Sequence, residues 1–219
     1  MIKKDFLDNG IIIYQDDDYY TFTSDSILLS EFATVKSRDN VADFCSGSGV
    51  VGLNLYSKNP TVQSLTLFEM QEELFLLSEK SIKDNNLGDK VKAVNCKLQD
   101  LDDKYRDAFS LIVCNPPYMQ KGCGEACADE KKAKCKSEQE LSLDELFCAV
   151  NKALRFGGRV AICHRADRLC EVIAVMQKYK IEPKRLQTVS GAKKAPYLIL
   201  IEGVKGGKSG IKIYKEREN

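Results

Sequence analysis

The sequence predicts an α/β protein with a mostly parallel sheet covered by helices on both faces. From residue 40 onward, short apolar runs alternate with segments of helical periodicity, which is typical of parallel strands joined by helical crossovers. Candidate functional residues follow three of these runs, as expected at the carboxyl edge of such a sheet. The length of 219 residues, with 43% hydrophobic and 30% charged residues, fits an ordinary globular domain.

Two short strands and one helix are predicted before the alternating region. Residues 11–15 and 19–23 have the composition of strands, and three consecutive aspartates at 16–18 are typical of a turn between them. Ser24 can cap a helix over 25–35, because its hydroxyl can accept a hydrogen bond from a free N–H of the first turn. We expect this extension to cover a ligand pocket of the main domain.

The main domain is predicted to contain seven strands and four helices. The run at 110–114 is apolar almost throughout, as expected for a strand buried on both faces. A Gly-Gly pair at 157–158 is expected to end the helix before it. The predicted strands are 41–45, 65–69, 91–95, 110–114, 159–163, 185–189 and 197–202. The predicted helices are 50–57, 71–85, 143–156 and 167–179.

The predicted division has three parts: an extension at 1–38, a main domain at 39–204, and a basic tail at 205–219 with a short strand near 211–214. No apolar run reaches the roughly 18 residues that a membrane helix needs. The first residues also lack the apolar core of a signal peptide. These observations favour a cytoplasmic protein with no membrane partner.

Charge is unevenly distributed along the chain, although the net charge is only +1. Residues 1–110 hold 12 Lys or Arg against 19 Asp or Glu, a net charge of −7. Residues 111–219 hold 21 against 13, a net charge of +8. A basic half can mark an anionic partner such as a nucleic acid, and it can equally be an ordinary solvated surface.

Nine cysteines are present. Most lie in apolar or helical contexts, where Cys acts as a small hydrophobic residue, and without a secretion signal we expect them to be reduced. Cys123, Cys127 and Cys135 lie in one polar loop. A zinc site would need a fourth ligand and usually a C-x-x-C pair, so we expect no metal.

A glycine-rich loop follows the first strand of the main domain. The segment 43–49, Asp-Phe-Cys-Ser-Gly-Ser-Gly, joins a strand to a helix, so its backbone can approach a ligand and the helix N-terminus can bind a negatively charged group. Glu69 ends the next strand, where a carboxylate can bind both ribose hydroxyls of a nucleoside. NAD and S-adenosylmethionine both fit, and Gly47-x-Gly49-x-x-Gly52 resembles the dinucleotide-binding pattern.

A second motif, Asn115-Pro116-Pro117-Tyr118, follows the apolar run at 110–114. The prolines fix the backbone and remove two donors. The Asn115 side chain and the Pro116 carbonyl can accept hydrogen bonds, and Tyr118 has an aromatic face. Two acceptors and a stacking ring fit a planar exocyclic amine, whose nitrogen lone pair they would expose to a methyl donor. Catalysis would then be positioning and electrostatics, without a covalent nucleophile.

Together these motifs resemble class I S-adenosylmethionine-dependent methyltransferases that methylate amino groups. Further matching segments are Tyr-Gln at 14–15, Tyr-x-Phe-x-Ser-Asp-Ser-Ile-Leu-Leu at 20–29, Ser-Leu-Asp at 142–144, His-Arg-x-Asp-Arg-Leu at 164–169, Lys-Arg-Leu at 184–186 and Lys-Gly-Gly-Lys at 205–208. With them the chain resembles the bacterial tRNA(Val) adenine-37 N6-methyltransferase family over nearly its whole length. The resemblance implies a Rossmann-like class I methyltransferase fold and formation of N6-methyladenosine in the anticodon loop.

The resemblance also implies roles for the matching residues with S-adenosylmethionine as cofactor. The cofactor pocket would be walled by Tyr14, Gln15, Phe22 and Asp25. The methionine end would be held by Asp43, Ser46, Gly47 and Gly49. Glu69 would bind the ribose, Met70 would lie beside the adenine, and Gln99 and Asp100 would mark the site of the adenine amine. The target base would be held by Asn115, Pro116, Pro117 and Tyr118, and Asn115 would also contact the cofactor. Family members usually have Gly at the position of Cys45.

A tRNA substrate would draw much of its affinity from phosphate contacts, and a loop base costs less to extrude than a paired one. The candidate cations are Lys131, Lys132, Lys134, Lys136, Arg165, Arg168, Lys193, Lys194, Lys205 and Lys208. Each of them can also be an ordinary solvated side chain. We expect a monomer or a weak dimer.

Other functions share part of this pattern. A protein glutamine methyltransferase acting on a release factor would bind the same planar NH2 group, although the resembling enzymes usually carry an extra N-terminal helical domain. A guanine N2-methyltransferase and a non-catalytic RNA-binding module are further alternatives. Cytosine C5 methylation is disfavoured because Cys114 lies within an apolar strand. An NAD oxidoreductase is disfavoured because no acid–base residue for hydride transfer accompanies the pocket.

Overall fold

The computed structural model describes residues 1–8, 10–19, 24–117, 141–192 and 194–219. Several predicted features lie outside these residues. They are the strand residues 20–23 with Phe22, Tyr118, the loop cysteines Cys123, Cys127 and Cys135, and the basic residues Lys131, Lys132, Lys134, Lys136 and Lys193.

The described elements follow the predicted alternation of strands and helices. The strands are β1 (Ile2–Phe6), β2 (Ile12–Asp16), β3 (Asn40–Phe44), β4 (Ser64–Glu69), β5 (Val91–Asn95), β6 (Phe109–Cys114), β7 (Leu154–Arg165), β8 (Ile181–Ser190), β9 (Leu198–Lys205), β10 (Lys212–Ile213) and β11 (Arg217–Glu218). The helices are α1 (Ser24–Phe32), α2 (Val50–Lys58), α3 (Glu72–Asp84), α4 (Leu143–Ala153) and α5 (Leu169–Lys178).

The main sheet has the order β10-β8-β9-β7-β6-β3-β4-β5, with β11 also paired to β8. β9 runs antiparallel to both of its neighbours, and the other pairs are parallel. Seven long strands confirm the predicted α/β class I methyltransferase architecture. The described sheet has nine strands, two more than the seven predicted for the main domain, because β10, which was expected in the tail, and β11, which was not predicted, both pair with β8.

Helices cover both faces of this sheet, as predicted. One apolar cluster joins α1 and α2 to the sheet through side chains such as Leu29 and Leu53, and the other joins α4 and α5 through Phe147 and Val172. A strand buried on both faces has a nearly continuous apolar sequence, which is why β6 could be recognised in the sequence. Among the described residues, no helix is both long and apolar enough to cross a membrane.

The sheet changes direction between β3 and β6. The chain moves from β3 to β4 and β5 on one side, and then returns to place β6 on the other side of β3. Ligands of open α/β sheets bind at the carboxyl edge near such a switch point. The glycine loop follows β3 and Asn115 follows β6, so both lie at this edge.

The predicted helix over 143–156 is wrong at its end. It stops at Ala153, and Leu154 already pairs with Phe109 as the first residue of β7. Gly157 has a φ of 72°, which is outside the helical region, and an irregularity in the β6–β7 register accommodates the residues around it. The glycine pair therefore belongs to the beginning of a strand and does not terminate the helix.

A two-stranded hairpin of β1 and β2 packs against α3. The sequence did not predict β1, because three of its five residues are charged and nearly all of it is exposed. At the other end of the chain, β11 brings Asn219 to the first turn of α1, where its amide donates to Ser24 Oγ over 2.6 Å. The predicted bounds of the three parts of the chain stay a prediction.

Candidate active site

The loop after β3 has the backbone that a close ligand approach requires. Cys45, Gly47 and Gly49 all have positive φ angles, of 56°, 55° and 88°. A Cβ on Gly49 would lie 2.9 Å from Leu67 Cδ1, so this position is packed against the core. A Cβ on Gly47 would meet nothing within 4 Å. The loop is therefore open to a ligand at Gly47, whereas at Gly49 it is packed against the core.

Glu69 at the end of β4 holds this loop from the side. One carboxylate oxygen accepts a hydrogen bond from the Gly47 N–H over 2.8 Å, and the other accepts one from the Gln71 N–H over 2.9 Å. Burial raises the pKa of the Glu69 carboxyl. Its carboxylate and the loop backbone are thus neighbours, as a site for a ribose beside a glycine loop requires.

Two buried polar atoms beside the loop accept or donate no hydrogen bond within the described chain. They are Asp43 Oδ1 and Ser46 Oγ. The other Asp43 oxygen accepts from the Gly52 N–H over 2.8 Å, and burial raises the pKa of this carboxyl to about 8. Buried polar atoms normally have partners. Together with the open face at Gly47, these atoms fit a polar ligand such as the amino-acid end of a nucleoside cofactor.

Asn115 lies across the switch point from the glycine loop and is held by two side chains. Its Nδ2 donates to Ser26 Oγ over 3.2 Å, and the Cys163 thiol donates to its Oδ1 over 2.9 Å. Asn115 is half-buried, Pro116 is buried and Pro117 is half-buried. The amide is therefore fixed in orientation at the carboxyl edge of β6.

The other predicted site residues differ in how closely they approach this region. Asp25 is buried in the first turn of α1, close enough for its charge to raise the pKa of the Cys163 thiol in addition to burial. Met70 follows Glu69 and its N–H bonds to the Glu69 carboxylate. Gln99 and Asp100 lie exposed in a short 3₁₀ turn after β5.

Tyr14 and Gln15 are engaged elsewhere. The Tyr14 hydroxyl donates to Asp84 over 2.6 Å, and Asp84 ends α3 at the edge of the sheet opposite Glu69. The Gln15 amide donates to the Asp5 carboxylate of the neighbouring strand. The structure thus brings Asp43, Ser46, Gly47, Gly49, Glu69, Met70 and Asn115 to one edge, and it directs the polar end of Tyr14 away from it.

Among the candidate cations, Lys205 and Lys208 lie far from Asn115, at the end of β9 and in the turn that follows it. β9 runs antiparallel to β7, which places Lys205 at the edge opposite Asn115. The Lys205 ammonium also donates to the Asn151 and Leu154 carbonyls, over 2.7 Å each. At the carboxyl edge, Arg165 pairs with Asp167 and Arg168 pairs with Glu171, whereas Lys194 lies exposed after β8.

Sequence reasoning missed three residues of the site. Ser26 and Cys163 contact Asn115 from positions 89 and 48 residues away in the chain, so no local pattern marks them. Gly52 was noticed only as part of a dinucleotide pattern. In the structure a Cβ on Gly52 would lie 3.0 Å from Asp43 Oδ2, so glycine there allows its N–H to reach the carboxylate. Among the described residues, no group of three His, Cys, Asp or Glu side chains is placed to hold a metal ion.

The sheet order, the glycine loop at the switch point and the acidic residue ending β4 define a class I methyltransferase. Residues 23–181 match the model of the methyltransferase small domain family, so the chain belongs to that family. It is an S-adenosylmethionine-dependent methyltransferase, and S-adenosylmethionine is its cofactor.

Relatives with assigned functions resemble the chain at moderate identity. A tRNA1(Val) (adenine(37)-N6)-methyltransferase from Flavobacteriaceae bacterium (strain 3519-10) is 25% identical over 197 residues, which cover 84% of this chain and 82% of the relative. A release factor glutamine methyltransferase from Clostridium botulinum (strain Hall / ATCC 3502 / NCTC 13319 / Type A) is 27% identical over 152 residues, which cover 66% of this chain and 53% of that protein.

Solved structures share the fold. A predicted O-methyltransferase from Agrobacterium tumefaciens superposes with a TM-score of 0.69 at 14% identity, covering 89% of this chain and 88% of the other. A geranyl diphosphate C-methyltransferase from Streptomyces coelicolor A3(2), in complex with S-adenosyl-L-homocysteine, gives a TM-score of 0.60 at 11% identity over 83% of this chain and 77% of its own. At these identities the likeness concerns the fold alone.

Proposed function

We propose that the chain methylates N6 of an adenosine in the anticodon loop of a tRNA, namely position 37 of a valine tRNA. The observation that carries this proposal is the placement of Asn115 and Pro116 at the carboxyl end of β6, across the switch point from the glycine loop. The similarity to the tRNA1(Val) (adenine(37)-N6)-methyltransferase from Flavobacteriaceae, which extends over most of both chains, supports the same substrate.

The cofactor would lie along the carboxyl edge of β3 and β4. Bound there, it supplies a methyl group on a sulfonium. Glu69 would bind the ribose hydroxyls, Met70 would pack beside the adenine, and Gln99 and Asp100 would border its amine. The methionine end would contact Asp43, Ser46, Gly47 and Gly49, with the N-terminus of α2 favouring its carboxylate. Phe22 and Asp25 complete the proposed pocket as its outer wall, whereas the polar ends of Tyr14 and Gln15 bond to Asp84 and Asp5.

The target base would be extruded from the anticodon loop into the site. Asn115 Oδ1 and the Pro116 carbonyl would accept the two N6 hydrogens, and Tyr118 would stack on the ring. These bonds would favour a pyramidal nitrogen with an exposed lone pair, and the bound cofactor would supply the methyl group that this nitrogen accepts. The nitrogen would then lose one proton to solvent. The contribution of the protein is positioning and electrostatics.

A tRNA substrate would explain the excess of basic residues in the second half of the chain. Lys194 is exposed at the carboxyl edge, and Lys131, Lys132, Lys134 and Lys136 are proposed to contact phosphates. Arg165 and Arg168 are partly neutralised by their acidic partners, so a modest affinity that weakens with salt is expected. Such a substrate places the protein in the cytoplasm. The monomer or weak dimer stays a prediction.

The test is a transfer assay with methyl-labelled S-adenosylmethionine and three acceptors. These are a valine tRNA transcript with A37, the same transcript with G37, and a release factor with its acceptor glutamine. Label recovered as N6-methyladenosine from the A37 transcript alone is the expected result. Label in the glutamine, as the Clostridium botulinum relative's activity would give, overturns the proposal. Equal labelling of both transcripts, or none of the three, overturns it as well.

A further inference from the structure

The amide of Asn115 is fixed by two neighbours that the proposed reaction does not use. Ser26 lies in the first turn of α1 and is 4% exposed, and its hydroxyl accepts a hydrogen bond from Nδ2. Cys163 lies within β7 and is fully buried, and its thiol donates to Oδ1. Each end of the carboxamide therefore has its own partner, one from helix α1 and the other from strand β7.

Cys163 distinguishes the two ends of the amide chemically, whereas the Ser26 hydroxyl, which accepts from Nδ2, fixes the position of the nitrogen end. A carboxamide has a donor end and an acceptor end, and a half-turn of the side chain exchanges them. Burial raises the pKa of the Cys163 thiol well above its ordinary value, and the nearby Asp25 charge raises it further. The thiol therefore keeps its proton at neutral pH, and it acts as a donor towards an amide oxygen.

We propose that Ser26 and Cys163 are positioning residues that hold Asn115 with its oxygen towards the target amine. A carbonyl oxygen has two lone pairs, so Oδ1 can accept from Cys163 and still accept from the substrate. If the amide were rotated by half a turn, Nδ2 would face the NH2 group of the substrate. Two hydrogen-bond donors would then oppose each other. The inference rests on the proposed role of Asn115, and neither residue is assigned a contact with the substrate or the cofactor.

The kinetic test compares variants that remove the bond with variants that keep it. Cys163→Ala removes the donor, whereas Cys163→Ser retains an O–H at the same place. Ser26→Ala removes the acceptor. Its matched control is Ser30→Ala, because Ser30 is another buried hydroxyl of α1 whose partners are Asn54 and the Ile27 carbonyl. The acceptor in the assay is whichever planar amine the wild-type protein methylates.

We expect Cys163→Ala and Ser26→Ala each to lower kcat by about tenfold, since misplacing a reacting group can cost up to roughly a hundredfold. The affinity for S-adenosylmethionine, measured by calorimetry, stays within about twofold of the wild-type value because neither residue is placed at the glycine loop. Cys163→Ser restores most of kcat, and Ser30→Ala leaves it unchanged. A Cys163→Ser variant as slow as Cys163→Ala, or an equal loss in Ser30→Ala, would show a merely structural role and overturn the inference.

A second readout does not depend on transfer. In 15N-labelled protein, the side-chain amide signals of Asn115 are assigned by their loss in Asn115→Ala. We expect them to shift in Cys163→Ala and Ser26→Ala, and to return towards the wild-type positions in Cys163→Ser. Unchanged signals in both alanine variants overturn the positioning. If the wild-type protein methylates none of the tested amines while these signals shift, the proposed function fails and the positioning of the amide stands.

Discussion

Gly47 and Gly49 share a left-handed backbone but have different surroundings. Gly49 packs against Leu67 and the beginning of α2, whereas the space beside Gly47 is open. Glycine is needed at Gly49 to allow the loop to close on the core, and at Gly47 to leave room above the loop. The residues of one short motif thus contribute separately to stability and to binding.

Alanine substitutions separate these two contributions. Both variants place an L-residue in the left-handed region, which costs roughly 1–2 kcal/mol of stability. Gly49→Ala adds a clash with Leu67, and we expect its free energy of unfolding to fall further, by about 1–3 kcal/mol from overpacking. Gly47→Ala is expected to lose about tenfold in affinity for S-adenosylmethionine, since its methyl group fills the open space. Urea denaturation and calorimetry measure the two effects, and equal affinity losses after correction for stability would contradict the assignment.

At the scale of elements, α1 connects the far end of the chain to the site. Its first turn holds Ser26 against Asn115 and is itself bonded to Asn219 through Ser24. Its last turn carries Glu31, which pairs with Arg217 over 2.6 Å. β11 and the residue after it therefore link both ends of α1 to β8.

We expect the double variant Arg217→Ala, Asn219→Ala to loosen α1 locally. Surface ion pairs and exposed hydrogen bonds contribute about 1 kcal/mol or less each, so global stability changes little. Loss of about 1 kcal/mol corresponds to roughly fivefold faster amide hydrogen exchange. Exchange measured by mass spectrometry should rise in residues 24–32 and stay constant in α3, which β11 does not touch. A uniform rise in both helices, or none in α1, would show that the tail does not hold this element.

Strands and helices were predictable from the sequence where apolar residues dominated a segment or recurred at helical spacing. β6 is apolar almost throughout, β4 has apolar residues at three of its six positions, and α3 has its buried residues at helical spacing. β1 was missed because charged residues occupy an exposed strand, and the beginning of β7 was missed because a glycine pair has more than one structural meaning. The glycine loop, Glu69 and Asn115 followed from their positions after strands. Ser26 and Cys163 could not follow, because only the folded chain brings them to Asn115.

At the scale of the molecule, stabilising and functional groups occupy opposite edges of the sheet. At the amino edge, Arg159 and Asp39 form a buried ion pair that Ser110 joins, and Lys205 is fixed by main-chain carbonyls. At the carboxyl edge, Asp43 Oδ1 and Ser46 Oγ are buried beside the open face of the glycine loop without a partner among the described residues. Unsatisfied polar atoms cost stability, so their presence at one edge marks the place where a ligand completes the structure.

Asn115 is proposed to act chiefly on the target amine and to contribute little to cofactor affinity or to the fold. The most direct measurement compares Asn115→Ala with the wild-type protein in kcat and in the dissociation constant for S-adenosylmethionine. We expect kcat of Asn115→Ala to fall by at least about a hundredfold, because the variant loses a group that stabilises the transition state. The dissociation constant stays within about tenfold, because most of the residues proposed to hold the cofactor lie on β3 and β4 or directly after them. Losses of equal size in both quantities would contradict this role of Asn115.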